Sequence, residues 1–229
     1  MTPDRLAHGG RMVMGDKMFL PSGQGVSLSA SRHRLERLIA LRLQPNADKA
    51  HVDRRIWDLF GQTRAVMMTD LSGFSRNVAK FGIVHFLQTI YESIRIFVPV
   101  IEEHDGILLK AEADSLMVVF RTADHAMHCA IKMQQAARKY NLDMPEEEQV
   151  LLCIGLGYGR MLLIGDEDVF GAEVNAASKL GEDTAKSGEI LVTDSLRQNL
   201  HEADDLEFDK LNLVPPGATA AYAVRYRLP

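Results

Sequence analysis

Two cysteines, one tryptophan and a low aromatic content (7%) set the first limits on this 229-residue chain. Cys129 and Cys153 form no Cys-x-x-Cys pair, so neither a disulfide scaffold nor a thiolate zinc site is expected. Buried free thiols in a reducing compartment are the natural reading. No stretch approaches ~18 uninterrupted apolar residues, which leaves no candidate for a membrane-spanning helix. The opening Met1-Thr-Pro-Asp-Arg5 lacks the basic-then-apolar layout of a secretory signal, and a cytoplasmic protein is expected. No basic run interleaved with aromatics occurs, so no nucleic-acid partner is expected either.

What is present suffices for a globular core: 46% of residues are hydrophobic and 25% charged. The net charge of −5 is unevenly spread. Residues 1–64 carry 11 basic and 6 acidic side chains, while residues 65–229 carry 15 and 25. A basic extension of this kind lies on the acidic remainder, is solvated, or makes weak contact with an anionic membrane surface.

Residues 1–30 are rich in Gly, Ser and Met without periodicity and read as mobile. Two short helices are expected next: Ser31 to Leu43, closed by Pro45, and a second carrying Val52, Ile56 and Leu59-Phe60. Residues 1–60 thus form a mobile N-terminus plus a short helical extension, and 61–229 a separate domain. There Ala65–Thr69 reads as a buried central strand. Phe74 to Glu103 reads as helical, split at Gly82 and kinked or restarted at Pro99. A hairpin follows around Glu112-Ala113, between Ile107–Lys110 and Ser115–Phe120. A helix ends near Tyr140, and a strand from Val150 is expected to turn at Gly159-Arg160 into Met161–Ile164. A helix from Glu173 to about Lys186, a strand at Ile190, a short helix at Asp194–Leu200 and two closing strands complete the chain. The order β-α-β-β-α-β predicts an α+β fold, a ferredoxin-like core with C-terminal additions.

Three stretches bear on chemistry: Met68-Thr-Asp70-Leu-Ser-Gly-Phe-Ser75, Lys110-Ala-Glu-Ala-Asp114 and Asp168-Val-Phe-Gly-Ala-Glu-Val-Asn175-Ala-Ala-Ser-Lys179. Asp70 ends a strand before a turn into a helix, where backbone amides can meet phosphate oxygens and Gly73 permits close approach. N-capping by Ser72 or Asp70 is the plainer role for such a turn. Asp114 lies in the hairpin. If its strand neighbours that of Asp70, ~4.8 Å away, the two carboxylates can share a metal pair ~3.5–4 Å apart. Other motifs fail. The lysine–serine pair at Lys186-Ser187 lacks the glycine a P-loop needs before its lysine, and Asp166-x-Asp168 lacks the twelfth-position glutamate of a calcium loop. Asp124, His128 and Cys129 sit on an otherwise ordinary helix.

Over roughly residues 61–229 these ordered motifs resemble the class III nucleotidyl cyclase catalytic domain. The resemblance implies that Asp70 and Asp114, with Leu71, hold two Mg²⁺ or Mn²⁺ ions, and that Leu71, Ser72, Gly73, Phe74 and Ser75 approach the triphosphate. It places Lys110 and Asp168 at the base, Asn175 at the ribose and Lys179 at the charge developing on the phosphates. Guanylate cyclases of the family typically use an acid and a thiol at the base, so ATP is the implied substrate and cyclic AMP the product. A head-to-tail homodimer with two composite sites is implied as well. Departures are also visible: Ala113 stands where the family has glycine, and Lys179 where it usually has arginine. The segment before Asp168 is short, and Asp209-Lys-Leu replaces a Lys-Gly pair, leaving Lys210 as the candidate for the terminal phosphate. The loss of glycine at 113 reads as mild, since alanine tolerates most hairpin conformations except positive φ. Lys179 motivates an alternative, a nucleotide-binding regulatory module with little turnover.

Overall fold

A computed structural model describes residues 17–19, 25–27 and 30–226, with residues 17–19, 25–27 and 74–77 described by their backbone alone. The chain divides into two compact units, residues 1–53 and 54–229. In the first, β1 (Lys17–Phe19) and β2 (Gly25–Ser27) pair antiparallel, with Lys17 opposite Ser27. The rest of the segment expected to be mobile lies outside the described residues. Helix α1 (Ala30–Arg42) follows, and α2 (Lys49–Phe60) begins after Asp48, whose carboxylate accepts the His51 amide at 2.9 Å. Arg42 Nε donates to Asp53 Oδ1 at 2.6 Å and ties the two helices.

The second unit is built on a sheet in the order β4-β5-β3-β6-β8-β10-β9, with β7 on β6. Its strands are β3 (Gly61–Leu71), β4 (Ile107–Glu112), β5 (Ser115–Phe120), β6 (Leu152–Ile164), β7 (Asp168–Phe170), β8 (Ile190–Thr193), β9 (Glu207–Lys210) and β10 (Ala221–Arg225). Between them run α3 (Phe74–Phe81), α4 (Ile83–Glu103), α5 (Ala123–Asn141), α6 (Ala172–Gly181) and α7 (Asp194–Gln198). The first four strands, β4-β5-β3-β6, are mutually antiparallel and make the ferredoxin-like core; β8 joins it parallel to β6, and β10 and β9 extend it. The α+β expectation holds.

Alternation along β3 sends its side chains to two cores. Ala65, Met67 and Leu71 pack with Phe97 and Ile101 of α4 and Met127 and Met133 of α5. Val66 and Met68 face the other way, into a cluster with Val119, Met161, Val169, Val174 and Ala177. By the same alternation Asp70 emerges on this second face, the one that α6 and β7 cover. The helix break at Gly82 stands as expected.

Two local readings of the sequence are corrected, and a third in part. Gly159-Arg160 is no turn, because β6 runs unbroken through it and pairs with β3 from Gly61–Leu162 to Leu71–Leu152. The glycines serve a close approach instead. A Cβ at Gly157 would come 2.6 Å from the Glu173 carbonyl oxygen, and one at Gly159 would come 3.0 Å from Glu173 Cγ. Gly155, two residues earlier, lies against the backbone of Ala177 and Gly181. Of the two alternatives at Pro99, the restart is excluded, because α4 is one helix of 21 residues with Pro99 inside it. Helix α6 stops at Gly181, short of Lys186, and the Ala185 amide turns back to the Leu180 carbonyl at 2.8 Å.

Candidate active site

Asp70, the penultimate residue of β3, is half-buried beside Asp114, which follows Ala113 in the β4–β5 turn. Burial, then the charge of Asp114, pushes the Asp70 carboxyl up to about 7; Glu182 at the end of α6 adds to the negative field. Between the strands, the Thr69 hydroxyl accepts the Leu116 amide at 3.1 Å, just where the β3–β5 ladder ends at Met68–Met117. A half-buried carboxyl raised by burial and by a neighbouring carboxylate suits a hard divalent cation. Among the described residues no group of three or more His, Cys, Asp or Glu converges on a metal-sized space. Mg²⁺ typically takes one or two carboxylates and completes its shell with water and substrate phosphate, so this donor pair fits such an ion.

The turn after Asp70 differs in part from expectation. Gly73, with φ 93°, is the N-cap of α3, and no side chain caps that helix, so neither Ser72 nor Asp70 has the capping role. The Ser72 amide donates to the Leu151 carbonyl at 2.8 Å and is therefore committed to the fold, whereas a free donor for phosphate was expected. The Leu71 amide points to the Asp70 carboxylate. The backbone of Phe74 and Ser75 forms the first turn of α3; their side chains lie outside the described residues. Ala113 has φ 51°. This is the one region where replacing glycine is not mild, because Cβ crowds the backbone there.

Lys110 and Asp168 meet within one chain: Lys110 Nζ lies 2.9 Å from Asp168 Oδ1. Two features bring them together. A register shift between Leu108 and Lys110 re-aims the β4 edge, and β7 packs Val169 into the cluster holding Met68 and Val119. Asp168 is 8% exposed, and its Oδ1 also accepts the Val169 amide at 2.9 Å.

On α6, Val174, Ala176, Ala177 and Leu180 are buried against the sheet, while Asn175 and Lys179, one turn apart, are exposed on the outer side. Lys179 Nζ is 3.0 Å from Asp183 Oδ2 of its own helix end. Lys210 ends β9, at the sheet edge opposite β4, and is exposed. Within one chain, then, Asp70 and Asp114 form one group and Lys110 and Asp168 another. Asn175, Lys179 and Lys210 point to solvent.

A family model described as the adenylate and guanylate cyclase catalytic domain matches residues 61–217. The chain belongs to that family. The cyclase domain is similar to the adenylate/guanylate cyclase/hydrolase of Silicibacter pomeroyi, with 26% identity, a TM-score of 0.62, and coverage of 71% of this chain and 96% of that one. It shares its fold with the adenylyl cyclase CyaB of P. aeruginosa, at 17% identity and a TM-score of 0.60, covering 73% and 96% of the two chains. Among curated relatives, the adenylate cyclase of Anabaena cylindrica is 26% identical over 151 residues, 59% of this chain and 30% of that protein. A Rhizobium meliloti (strain 1021) protein, provisionally named adenylate cyclase 3, is 28% identical over 144 residues, 63% of this chain and 24% of that protein. This chain thus spans less than a third of these curated relatives.

One residue of the cyclase domain that sequence reasoning missed is Glu173. Its carboxylate sits beneath α6 in the space left by Gly157 and Gly159, accepting the Thr193 hydroxyl at 2.6 Å and the Tyr158 amide at 3.2 Å. Burial raises its pKa. Glu173 pins the helix two residues before Asn175. The alternating glycines of Gly155-x-Gly157-x-Gly159 were its signal, readable as a strip on which another backbone lies.

Proposed function

We propose that the domain of residues 61–229 is an adenylate cyclase, converting ATP to cyclic AMP and pyrophosphate in a head-to-tail homodimer, with residues 1–60 as its extension. The Lys110–Asp168 pair at 2.9 Å carries the assignment to ATP. Adenine presents an acceptor at N1 and a donor at its 6-amino group, which a lysine and an aspartate side by side can meet. Guanine reverses the pattern and would set like groups against each other. ATP as substrate puts the reaction in the cytoplasm.

In the reaction, the ribose 3′-oxygen attacks the α-phosphorus. An O–P bond forms to close the ring, the bond to the β,γ-diphosphate breaks, and pyrophosphate leaves. Asp70 and Asp114, with the Leu71 carbonyl, would hold two Mg²⁺ or Mn²⁺ ions. When bound, such ions acidify the 3′-hydroxyl and neutralise phosphate charge. The partner chain's copies of Lys110 and Asp168 read the base, that of Asn175 orients the ribose, and that of Lys179 faces the phosphates, with Lys210 toward the terminal one. Backbone from Gly73 to Ser75 approaches the triphosphate at the α3 N-terminus. The outward aim of Asn175 and Lys179 supports a site completed across an interface.

Incubation with each of the four NTPs and Mn²⁺, followed by product analysis, tests this reading. ATP is expected to exceed GTP by ~10-fold or more in kcat/KM, since mispairing buried polar groups costs over ~1.4 kcal/mol. Comparable cyclic GMP formation would remove the base-reading role of Lys110 and Asp168. A nucleotide-binding regulatory module with little turnover is the second reading, favoured by the 3.0 Å contact that ties Lys179 to Asp183. If Lys179 acts on the phosphates, Lys179→Ala lowers kcat by ~10²-fold with little change in nucleotide affinity. An unchanged kcat sinks that role.

A further inference from the structure

At the end of β3 and β5 away from Asp70 and Asp114 lies a cavity of about 390 Å³. Its lining brings together Arg64 near the start of β3, Arg121 just after β5, His125 in the first turn of α5, and Asp105 and Ile107 before and on β4. Val119 and Phe120 make its floor.

The two arginines are where a fold would not leave them unaided. The β3–β5 register ends with Ala65 opposite Phe120, and Arg64 and Arg121 are the next residues beyond that last pair. Like charges brought side by side at the end of a ladder repel one another. Among the described residues neither guanidinium has an ion-pair or hydrogen-bond partner. His125 adds an orphan. Its Nδ1 is buried without a hydrogen bond, 3.9 Å from Asp105 Oδ2, and that carboxylate is 83% exposed. Two guanidiniums and an imidazole thus face one exposed carboxylate around a space large enough for a small molecule.

We propose that this cavity is an anion site for a phosphoryl group, held between Arg64 and Arg121 with His125 as a further donor. Guanidinium forks match phosphate oxygens two at a time and relieve the cross-strand repulsion as they do so. Exposed Ile107 at the rim offers an apolar wall, so a phosphate monoester with an organic body fits better than the bare ion. The site is independent of the cyclase reaction: Arg64 and Asp70 are six residues apart along a strand, ~20 Å.

The test uses the whole chain in EDTA, so that the active site is without its ions, and titrates inorganic phosphate, pyrophosphate and AMP by calorimetry and thermal shift. At least one probe is expected to bind saturably and raise Tm, with AMP the tightest. Arg64→Gln and Arg121→Gln should each weaken that binding by ~10-fold or more. Each substitution should also raise Tm in the absence of anion, because one of two opposed charges is gone; a residue that merely props the fold would lower it. Asp70→Asn should bind the anion like the wild type. No saturable binding by any probe, binding indifferent to both arginine substitutions, or binding lost with Asp70→Asn would each overturn the proposal. Pyrophosphate binding more tightly than AMP would retain the anion site but overturn the role of the apolar wall.

Discussion

The Thr69 hydroxyl accepts the backbone amide of Leu116 at 3.1 Å, and these two residues sit one and two positions from the paired aspartates Asp70 and Asp114. A side chain here takes over from the strand ladder at the point where the ladder stops. This buried bond helps hold the strand ends that carry the two carboxylates. Thr69→Val keeps the shape and leaves the Leu116 amide without a partner, which costs about 1–3 kcal/mol. Urea denaturation should show that loss, and Mn²⁺ titration should show weaker binding. A variant as stable as the parent would mean that the bond does not hold the strands.

Asp70 gives the metal-free protein a pH dependence of definite sign. Its carboxyl is raised to about 7 in the fold and titrates near its ordinary value when unfolded. Between those values the folded state holds the extra proton, so stability falls as pH climbs from about 4 to about 7. With solvent screening of a half-buried group allowed for, the loss is on the order of 2 kcal/mol. Asp70→Asn should flatten the profile in EDTA, and should abolish turnover while leaving the fold intact, as should Asp114→Asn. Added Mn²⁺ should restore stability to the parent at pH 7 and not to the variant. A parent with a flat profile in EDTA would contradict the raised carboxyl.

Ala113 is held at φ 51° next to Asp114. Ala113→Gly should relieve about 1 kcal/mol of backbone crowding, since only glycine takes this conformation freely. Thermal melts should show a higher Tm, and Mn²⁺ affinity should hold or rise as the hairpin relaxes around Asp114. A lower Tm would show that the strain is met elsewhere in the turn.

Mixing two dead chains tests the proposed shared interface. Asp70→Asn and Asn175→Ala should each be nearly inactive alone. After subunit exchange, half the dimers pair one of each, and one of their two sites is intact. Closed two-fold symmetry then gives about a quarter of parental activity. A mixture that demonstrably exchanges subunits and stays inactive would separate the two motifs.

What could be read from the sequence depended on range. The Asp70 strand end, the hairpin before Asp114 and the split at Gly82 are local patterns, and each stands in the structure. Gly159 was misread as a turn because a glycine that punctuates the chain looks the same in sequence as one that yields space to Glu173 across the sheet. The Ser72 amide reads as free in the sequence because its partner, the Leu151 carbonyl just before β6, lies some 80 residues away along the chain. The φ of Ala113 follows from hairpin geometry, which alanine itself does not announce. The Lys110–Asp168 contact needed both a bulge in β4 and the folding of β7 over the sheet, and neither leaves a compositional trace.

The glycine strip of β6 has a mechanical consequence. Between most helices and sheets a layer of side chains acts as a bearing, letting the helix slide or roll a little at small expense. Here the backbone of α6 rests on the backbone of β6, and Glu173 is bolted through the gap. Such packing leaves the helix little room to slide on its own. In the proposed cyclase, Asn175 and Lys179 would therefore approach a nucleotide together with the sheet beneath them, as one rigid block.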